Sequence, residues 1–416
     1  MAIGYACISL GIKESLKNCV LKNATERKLL EIIEHNLDLL EKQIEYNIEN
    51  NIRLFRISSD IIPFGSHKVN ELKWWEIFKG RLEKIGERVN NNNIRVSMHP
   101  GQYTVLNSPR KEVVENAVRD LEYHCRFLDS LKVDKTCKVI LHIGGIYGDK
   151  KIALKRFAQN YGQLDSNIKR RLVIENDEKS FNIKEVLDLG ESFKIPVVFD
   201  NLHHAINKLE GEEGDLYWIE KAGVTWKDSD GKQKIHYSQQ KIGGKIGSHS
   251  DTIHVQEFLD FYREIGGENL DIMLEVKDKD LSAIKCINCI EKASITKLEK
   301  EWAKYKCLVL EKSAKIYKDI RTLLKDKENP KPLIFYNYID TTFKLPEDKG
   351  AATNALEHVW GYFKDKATVK EKENFFLLLN GYSTGKIALK KVKNYLLSLS
   401  KKYKEDYLLQ SYYYIY

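Results

Sequence analysis

Eight short runs rich in apolar and β-branched residues recur along the first two thirds of the chain, and segments with helical periodicity separate most of them. The runs cover residues 2–9, 52–58, 94–99, 138–143, 171–176, 196–203, 232–238 and 271–276. The clearest helical segment carries along one stripe Leu29, Ile33, Leu37, Leu40 and Ile44. Strands that alternate with amphipathic helices predict a parallel sheet covered by helices. Eight such strands within about 290 residues predict a (β/α)8 TIM barrel, an α/β fold.

An open, doubly wound sheet is the main alternative to the barrel. Sheets of that kind usually bind a nucleotide at a glycine-rich turn that follows the first strand. The stretch after residues 2–9, "LGIKES", contains neither G-x-G-x-x-G nor G-x-x-x-x-G-K. The sequence therefore favours the barrel.

The pattern changes near residue 296, after which the strand-like runs stop. The helical runs beyond it cover residues 297–324, 352–379 and 385–411, with a charged, proline-containing break at 325–332. Helices without intervening strands predict an all-α unit. We therefore expect a barrel domain over residues 1–296 and a separate all-helical domain over residues 297–416.

The charge of the chain is concentrated in this last part. Residues 297–416 contain 24 Lys and Arg against 15 Asp and Glu, a balance of +9, whereas the remainder carries 44 against 45, or −1. A basic excess can serve a polyanionic partner, and it can also be an ordinary lysine-rich solvated surface. We keep as a hypothesis that the helical domain grips flanking DNA.

Composition narrows the class of protein further. Hydrophobic residues make up 42% of the chain, which fits a globular protein, and no apolar run approaches the ~20 residues that a membrane helix needs. The N-terminus shows no basic leader followed by a long apolar stretch, so we expect no signal peptide. Seven cysteines are an odd and sparse set, and the single C-x-x-C at Cys286–Cys289 has no second pair to complete a zinc site. We expect a cytoplasmic protein, associated with the nucleoid if it is bacterial, and no membrane partner.

Polar side chains with metal-binding chemistry recur where the predicted strands end. These residues are His67, His99, His142, Glu175, Asp200, His203, His236, His249 and Glu275. A single histidine at a strand end is usually a hydrogen-bonded core residue, but the carboxyl ends of barrel strands meet on one rim, where enzymes of this fold place their chemistry. Six imidazoles and three carboxylates gathered there would be costly to desolvate without bound cations.

The donor types indicate which ions would bind. Imidazole nitrogen and carboxylate oxygen without thiolate suit Zn²⁺ or Mn²⁺, and nine ligands exceed what one tetrahedral ion can take. We therefore expect two or three divalent ions. Such a cluster suits the hydrolysis of a phosphodiester, but the same ligands also serve sugar isomerisation, so the ligand set alone leaves both open.

The stretches that carry these residues resemble the UV damage endonuclease family. They read "RISSDIIPFGSH", "VSMHPGQYTVLNSP", "LHIGGIYGDK", "VIENDEKSF", "PVVFDNLHH", "KIHYS" with "GSHSD", and "LEVKDK", in order across about residues 1–285. The resemblance implies a metal-dependent barrel related to apurinic endonuclease IV. It also implies an enzyme that nicks DNA immediately 5′ to cyclobutane dimers, 6–4 photoproducts and, in many members, abasic sites.

The resemblance assigns roles to individual residues. It implies metal ligands at His99, His142, Glu175, Asp200, His203, His236, His249 and Glu275. His67 matches another active-site histidine, and Lys234 matches a lysine that can be carboxylated, which would turn a cation into an anion facing the metals. We therefore expect catalysis to depend on Glu175, Lys234, His67 and Glu275.

Four further residues match positions that engage the DNA. Gln102 and Tyr103 correspond to residues that push into the duplex where the damaged dinucleotide is flipped out, and Tyr5 corresponds to a residue near the flipped lesion. Ser9 stands where relatives carry an asparagine, so the resemblance implies that this contact is lost or bridged by water. Without the resemblance, Tyr103 reads as a loop tyrosine packed on its own barrel.

The predicted function is a metal-dependent DNA repair endonuclease that nicks 5′ to UV photoproducts. Its partner is double-stranded DNA containing UV lesions, and its cofactors are two or three divalent ions, with Mn²⁺ favoured over Zn²⁺, Mg²⁺ and Co²⁺. The alternatives are an abasic-site endonuclease of the endonuclease IV type, a sugar isomerase-like barrel and a catalytically silent DNA-binding protein. The C-terminal part resembles a helical domain of unknown function that occurs in bacterial proteins.

Overall fold

A computed structural model of the chain describes residues 1–208 and 213–416. These residues divide into two compact units. The first comprises Met1–Ile253 with Phe258–Ile284, and the second comprises His254–Glu257 with Lys285–Tyr416. The boundary expected between residues 296 and 297 stays a prediction. In the described residues, no helix combines the length and apolar character needed to cross a membrane.

The first unit contains a closed barrel of eight parallel strands in sequential order, which confirms the predicted fold. The strands are β1 (Ala2–Ala6), β2 (Leu54–Ile57), β3 (Arg95–Met98), β4 (Val139–His142), β5 (Leu172–Glu175), β6 (Val197–Asp200), β7 (Lys234–Tyr237) and β8 (Asp271–Leu274). Most of their residues are buried, because one face lines the barrel interior and the other lies under helices.

Helices connect the strands and cover the barrel. They are α1 (Glu26–Glu49), α2 (Trp74–Ile77), α3 (Lys79–Asn91), α4 (Lys111–Ser130), α5 (Lys150–Gln163), α6 (Ser166–Arg171), α7 (Ile183–Phe193), α8 (Asn201–Ile206), α9 (Asp215–Val224), α10 (Val255–Glu264) and α11 (Asp280–Ile290). The apolar stripe predicted on α1 is buried throughout. Thr25 begins this helix by accepting a hydrogen bond from the Lys28 backbone N–H.

The C-terminal part is all-helical, as predicted. Its helices are α12 (Ile295–Lys312), α13 (Ala314–Leu323), α14 (Pro332–Lys344), α15 (Lys349–Trp360), α16 (Val369–Ser383), α17 (Leu389–Lys402) and α18 (Asp406–Leu409). The single long helix predicted over residues 297–324 is wrong in detail, because Ser313 is extended (φ −161°) and its Oγ accepts from the Ile316 N–H to begin α13. The helix α14 was not predicted.

The register of the barrel brings the ends of β4 to β7 to one rim. His142 lies opposite Glu175 in the β4–β5 pair, and Asp200 lies opposite His236 in the β6–β7 pair. Parallel strands that share a register place their carboxyl ends side by side. The rim therefore carries imidazoles and carboxylates from four consecutive strands.

Candidate active site

Glu175, at the end of β5, is the centre of the rim cluster and is almost fully buried. Its Oε2 lies 3.2 Å from His99 Nε2, and its Oε1 lies 2.7 Å from His236 Nδ1. His142 Nε2 and His203 Nδ1 follow at 3.8 and 3.9 Å from the same carboxylate. Burial acts to raise the pKa of Glu175, but His236 and His142 outweigh it and hold that pKa well below its usual value.

Glu275 follows β8 and lies beside the same cluster. Arg56 Nη1 donates a 2.6 Å hydrogen bond to Glu275 Oε1, and His236 Nδ1 lies 3.3 Å from that oxygen. Burial opposes ionisation of Glu275, but the Arg56 guanidinium outweighs it and keeps the pKa of this carboxyl well below its usual value. The arrangement keeps a carboxylate ionised at the rim.

Asp200 and His203 form one unit at the start of α8. Asp200 Oδ1 accepts from the His203 backbone N–H at 2.8 Å, and Asp200 thereby caps the helix. His203 Nδ1 lies 2.9 Å from the Asn176 carbonyl, which leaves Nε2 free of that bond. Burial acts to lower the pKa of His203, but Asp200 and Glu175 outweigh it and raise that pKa to about 9.

Several donor atoms of the cluster are buried without a hydrogen-bond partner among the described residues. They are His142 Nδ1, Asp200 Oδ2 and His236 Nε2. Burying such atoms unpaired is costly, so their presence together points to a ligand that would use their lone pairs. Burial also raises the pKa of Asp200, and the carboxylates of Glu175 and Glu275 act in the same direction, so His203 offsets only part of the shift.

Two groups of ligand atoms meet the spacing that a metal ion requires. One comprises His99, His142 and Glu175, and the other comprises Glu175, Asp200 and His236; the atoms of each group lie within 4.8 Å of one another. Both groups share Glu175, and neither contains a thiolate. Nitrogen and oxygen donors of this kind suit a divalent cation of the Zn²⁺ or Mn²⁺ type.

Lys234 opens β7 two residues before His236 and is fully buried. Burial, assisted by the charge of Arg95, lowers the pKa of Lys234 to about 7. The side chain therefore loses its proton far more readily than an exposed lysine. Its Nζ has no hydrogen-bond partner among the described residues, and its predicted carboxylation stays a prediction.

His249 and His67 lie outside the two groups of ligand atoms. His249 sits on the loop after β7, where it forms an antiparallel bridge with Gln240. His67 is exposed on the loop after β2, and its Nδ1 accepts from the Val69 N–H at 3.0 Å. The roles implied for both histidines stay predictions.

Gln102 and Tyr103 project from the loop that follows His99. Tyr103 is 74% exposed. The next residue, Thr104, is buried, and the Thr104 Oγ1 donates a hydrogen bond to Asp120 at 2.6 Å. A cleft of about 520 Å³ begins at Gln102 and Tyr103 and reaches His142. Tyr103 is therefore not packed on its own barrel, and it stands at the edge of a cleft that leads to the cluster.

Tyr5 and Ser9, in contrast, lie inside the protein. Tyr5 has no exposed surface, its Oη lies 2.5 Å from Ser9 Oγ, and it donates to Asn47 Oδ1 at 2.9 Å. Phe55 packs against the ring with 5.1 Å between the centroids. The two residues bond to one another, and their implied contacts with DNA stay predictions.

Sequence reasoning missed Arg56 and Asn176. The signal for Arg56 was a charged residue in the middle of an otherwise apolar strand, since Arg56 is the third residue of β2. Asn176 lies directly after Glu175, and its side chain exchanges two hydrogen bonds with the backbone of Asp200, at 3.0 and 2.9 Å. This amide ties the ends of β5 and β6 together and fixes two of the predicted ligands relative to one another.

The sequence profile of the UV-endonuclease UvdE family matches residues 3–306. The chain belongs to this family. This membership confirms the predicted enzyme class, an endonuclease, and the resemblance of the motifs to the UV damage endonuclease family. Residues 306–416 match a family described only as a protein of unknown function, DUF1722, which agrees with the resemblance of the C-terminal part.

Individual relatives support the same membership. The chain is 44% identical over 412 residues to a UV DNA damage endonuclease of Clostridium perfringens, and the aligned region covers 97% of this chain and 96% of that protein. A UV DNA damage endonuclease of Bacillus cereus is 33% identical over 270 residues, or 64% of this chain and 84% of that protein. The crystal structure of SacUVDE superposes with a TM-score of 0.67 at 39% identity, over 70% of this chain and 98% of that one.

Proposed function

We propose that this UvdE family member is a metal-dependent endonuclease that nicks duplex DNA immediately 5′ to UV photoproducts and leaves 3′-hydroxyl and 5′-phosphate ends. The observation that carries the proposal is the sharing of one buried carboxylate, Glu175, by two groups of metal-ligand atoms. Family membership supplies the substrate class, because the named relatives are UV DNA damage endonucleases.

The donor set supports two or three divalent ions, and Mn²⁺ is proposed because carboxylate oxygens, which suit Mn²⁺, stand beside the imidazoles in both groups of ligand atoms. His99 and His142 would hold one ion together with Glu175, and Asp200 and His236 would hold the other with the same carboxylate. His203, Glu275 and His249 are the remaining proposed ligands. Bound ions of this kind orient a phosphodiester, activate a water molecule and stabilise the leaving oxygen.

The protein's own residues prepare that site. Arg56 keeps Glu275 ionised, and the Asn176 carbonyl accepts a hydrogen bond from His203 Nδ1, so Nε2 is the nitrogen that would bind a metal ion after losing its proton. Lys234 is proposed to react as the neutral amine with carbon dioxide, forming an N–C bond and releasing one proton, which places a carbamate anion inside the barrel. Its low pKa supplies the neutral amine near pH 7. His67 is proposed to assist at the edge of the site.

Recognition of the lesion is proposed to depend on Gln102 and Tyr103. Flipping a dinucleotide out of a duplex breaks stacking, and it costs less where a lesion already distorts the helix. The exposed Tyr103 ring offers a flat face that replaces the lost stack, and the Gln102 amide offers hydrogen bonds to unpaired base edges. Tyr5 and Ser9, which are buried and bond to one another, are proposed to lie near the flipped lesion without touching solvent in the free protein.

The test uses end-labelled duplexes that contain one cyclobutane dimer, one 6–4 photoproduct, one abasic site or no lesion. We expect nicking at the 5′ side of the photoproducts with Mn²⁺ and none with EDTA. Nicking of the abasic duplex alone would favour the endonuclease IV type of activity instead. Equal nicking of all four duplexes would refute the recognition of lesions.

A further inference from the structure

The loop between β7 and α10 exposes two isoleucines. Ile242 is 77% exposed and Ile246 is 85% exposed, which places both among the most exposed large apolar side chains of the described residues. We call residues 240–249 the isoleucine loop. Single exposed apolar residues are common on protein surfaces, but two on one short loop beside a candidate active site indicate a binding surface.

The isoleucine loop is held in one shape by its own hydrogen bonds. The Gln240 side chain spans it, donating from Nε2 to the Lys245 carbonyl at 2.9 Å and accepting from the Gly247 N–H at 2.8 Å. The Lys241 N–H donates to the Ser248 carbonyl at 2.7 Å, and Gly243 and Gly247 take up left-handed conformations (φ +69° and +84°). A loop built in this way loses little conformational entropy when it binds.

The position of the loop in the barrel is informative. In a closed barrel whose eight strands follow in order, β7 lies four strands from β3, which is the opposite side. The Gln102–Tyr103 pair follows β3, and the isoleucine loop follows β7, so both extend from the same rim. Glu175, at the end of β5, lies between them along the strand order. A ligand bound at the rim above Glu175 would therefore have, on two sides, a loop that carries exposed apolar or aromatic side chains.

The charge of the loop favours a polyanion. It contains Lys241 and Lys245 and no acidic residue. Lys241 and Lys277 share the carboxylate of Asp251, at 2.8 and 3.1 Å, which leaves a net positive charge at the base of the loop. Apolar side chains flanked by lysines match the chemistry of a wedge that enters the minor groove while cations contact the phosphates.

We propose that Ile242 and Ile246 form a second wedge, which packs against the bases of the damaged duplex from the side opposite Tyr103. The inference rests on the proposed function, because it takes lesion-containing duplex DNA as the substrate. The isoleucines hold the duplex bent over the rim, and Tyr103 fills the gap left by the flipped dinucleotide. Neither wedge alone would keep the strands apart on both sides of the lesion.

The test compares the Ile242→Ala/Ile246→Ala variant with a Val224→Ala control. Val224 is an aliphatic residue that is 78% exposed, and it therefore resembles the two isoleucines in exposure. It ends α9, just before the chain returns to the start of β7, and therefore lies at the end of the barrel opposite the rim. Binding is measured by anisotropy on two duplexes, one undamaged and one with a cyclobutane dimer beside a 2-aminopurine. The fluorescence of the 2-aminopurine reports unstacking.

We expect the double variant to bind the damaged duplex about ten-fold more weakly and to lose most of the 2-aminopurine signal. Affinity for undamaged DNA should change by less than about three-fold, since the lysines remain. The control should behave as the wild type on both duplexes. Melting temperatures should agree within about 1 °C, because truncating such exposed side chains removes no buried contact.

Wild-type affinity and fluorescence in the double variant would overturn the wedge. The wedge would also be overturned if light scattering showed a dimer in the wild type that the substitutions dissociate, with no effect on DNA binding. The isoleucines would then contact a second copy of the chain. The readouts are independent of cleavage. A wild-type protein that unstacks the damaged duplex without nicking it would refute the proposed function and leave the wedge to be judged on binding alone.

Discussion

Arg56 and Glu275 form an ion pair inside the barrel, with 2.6 Å between Nη1 and Oε1 and side chains only 12% and 14% exposed. The two residues belong to β2 and the end of β8, the strands on either side of β1. Glu275 also lies 3.3 Å from His236, so the arginine contacts a carboxylate that faces the candidate metal ligands. Removing one partner of a buried pair leaves the other charge uncompensated.

The first prediction is that Arg56→Met lowers both stability and activity. We expect the free energy of unfolding to fall by about 3 kcal/mol and nicking to fall by at least about 100-fold, because Glu275 loses the cation that keeps it ionised. Urea denaturation and single-turnover nicking measure the two effects. The matched double variant Arg56→Met/Glu275→Gln should recover much of the stability but none of the activity. A single variant that is fully active would refute the role of the pair.

The second prediction concerns the shared carboxylate. Glu175→Gln keeps the shape of the side chain but removes the charge that both groups of donors use, so nicking should fall by at least about 1,000-fold. Bound Mn²⁺, measured by elemental analysis after dialysis, should fall with it, while binding to damaged duplex partly survives. Glu191→Gln, on the exposed side of α7, is the control and should change neither quantity. Full metal content in Glu175→Gln would contradict the proposed site.

The barrel, and the meeting of strand-end histidines and carboxylates at its rim, could be predicted because both follow from local pattern. Strand-like runs alternating with helical segments specify the barrel, and its closure brings strand ends to one rim regardless of their separation along the chain. Glu175 and His236 are 61 residues apart and lie 2.7 Å from one another. Their residue types and strand-end positions were sufficient to expect them there.

Other features depend on contacts that the sequence does not display. Arg56 reads locally as a surface residue of a strand, and its partner lies 219 residues away. Tyr5 matches a DNA-contacting position, but Asn47 and Ser9 satisfy its hydroxyl in the interior. Residues 297–324 contain no glycine or proline, so their helical periodicity continues across the break at Ser313. The only local sign of the break is Ser313 itself, a residue type that often begins a helix, as it does for α13.

The third prediction separates lesion recognition from metal binding. Gln102→Ala/Tyr103→Ala should weaken binding to a dimer-containing duplex by about ten-fold or more, because the stack that replaces the flipped bases is lost. Bound Mn²⁺ should be unchanged, since neither residue contacts the cluster. Tyr103→Phe keeps the aromatic face and should retain most of the binding. If Tyr103→Phe is as weak as the double alanine variant, a hydrogen bond from the hydroxyl, not stacking, recognises the lesion.

The fourth prediction is a pH dependence of stability that arises from Asp280, at the start of α11. Its carboxylate accepts hydrogen bonds from the backbone N–H groups of Leu10 and Gly11, at 2.6 and 3.0 Å, and from Tyr46 Oη at 2.8 Å. Burial nevertheless raises the pKa of Asp280 to about 6, above the 3.8 of an unperturbed aspartate. The folded protein therefore binds more protons at this site than the unfolded chain between about pH 4 and pH 6.

Stability contributed by this proton uptake is fully present below pH 4 and is lost as the pH rises through 6. A shift of about two pH units corresponds to roughly 3 kcal/mol. The Asp280→Asn variant cannot ionise at this position, so its free energy of unfolding should rise relative to that of the wild type between pH 4 and pH 7. Replacing the carboxylate that accepts from the Leu10 N–H also has a cost, but that cost does not change with pH. Urea denaturation at intervals of half a pH unit measures the difference. A difference between the two proteins that is constant with pH would show that the Asp280 carboxylate is ionised throughout this range.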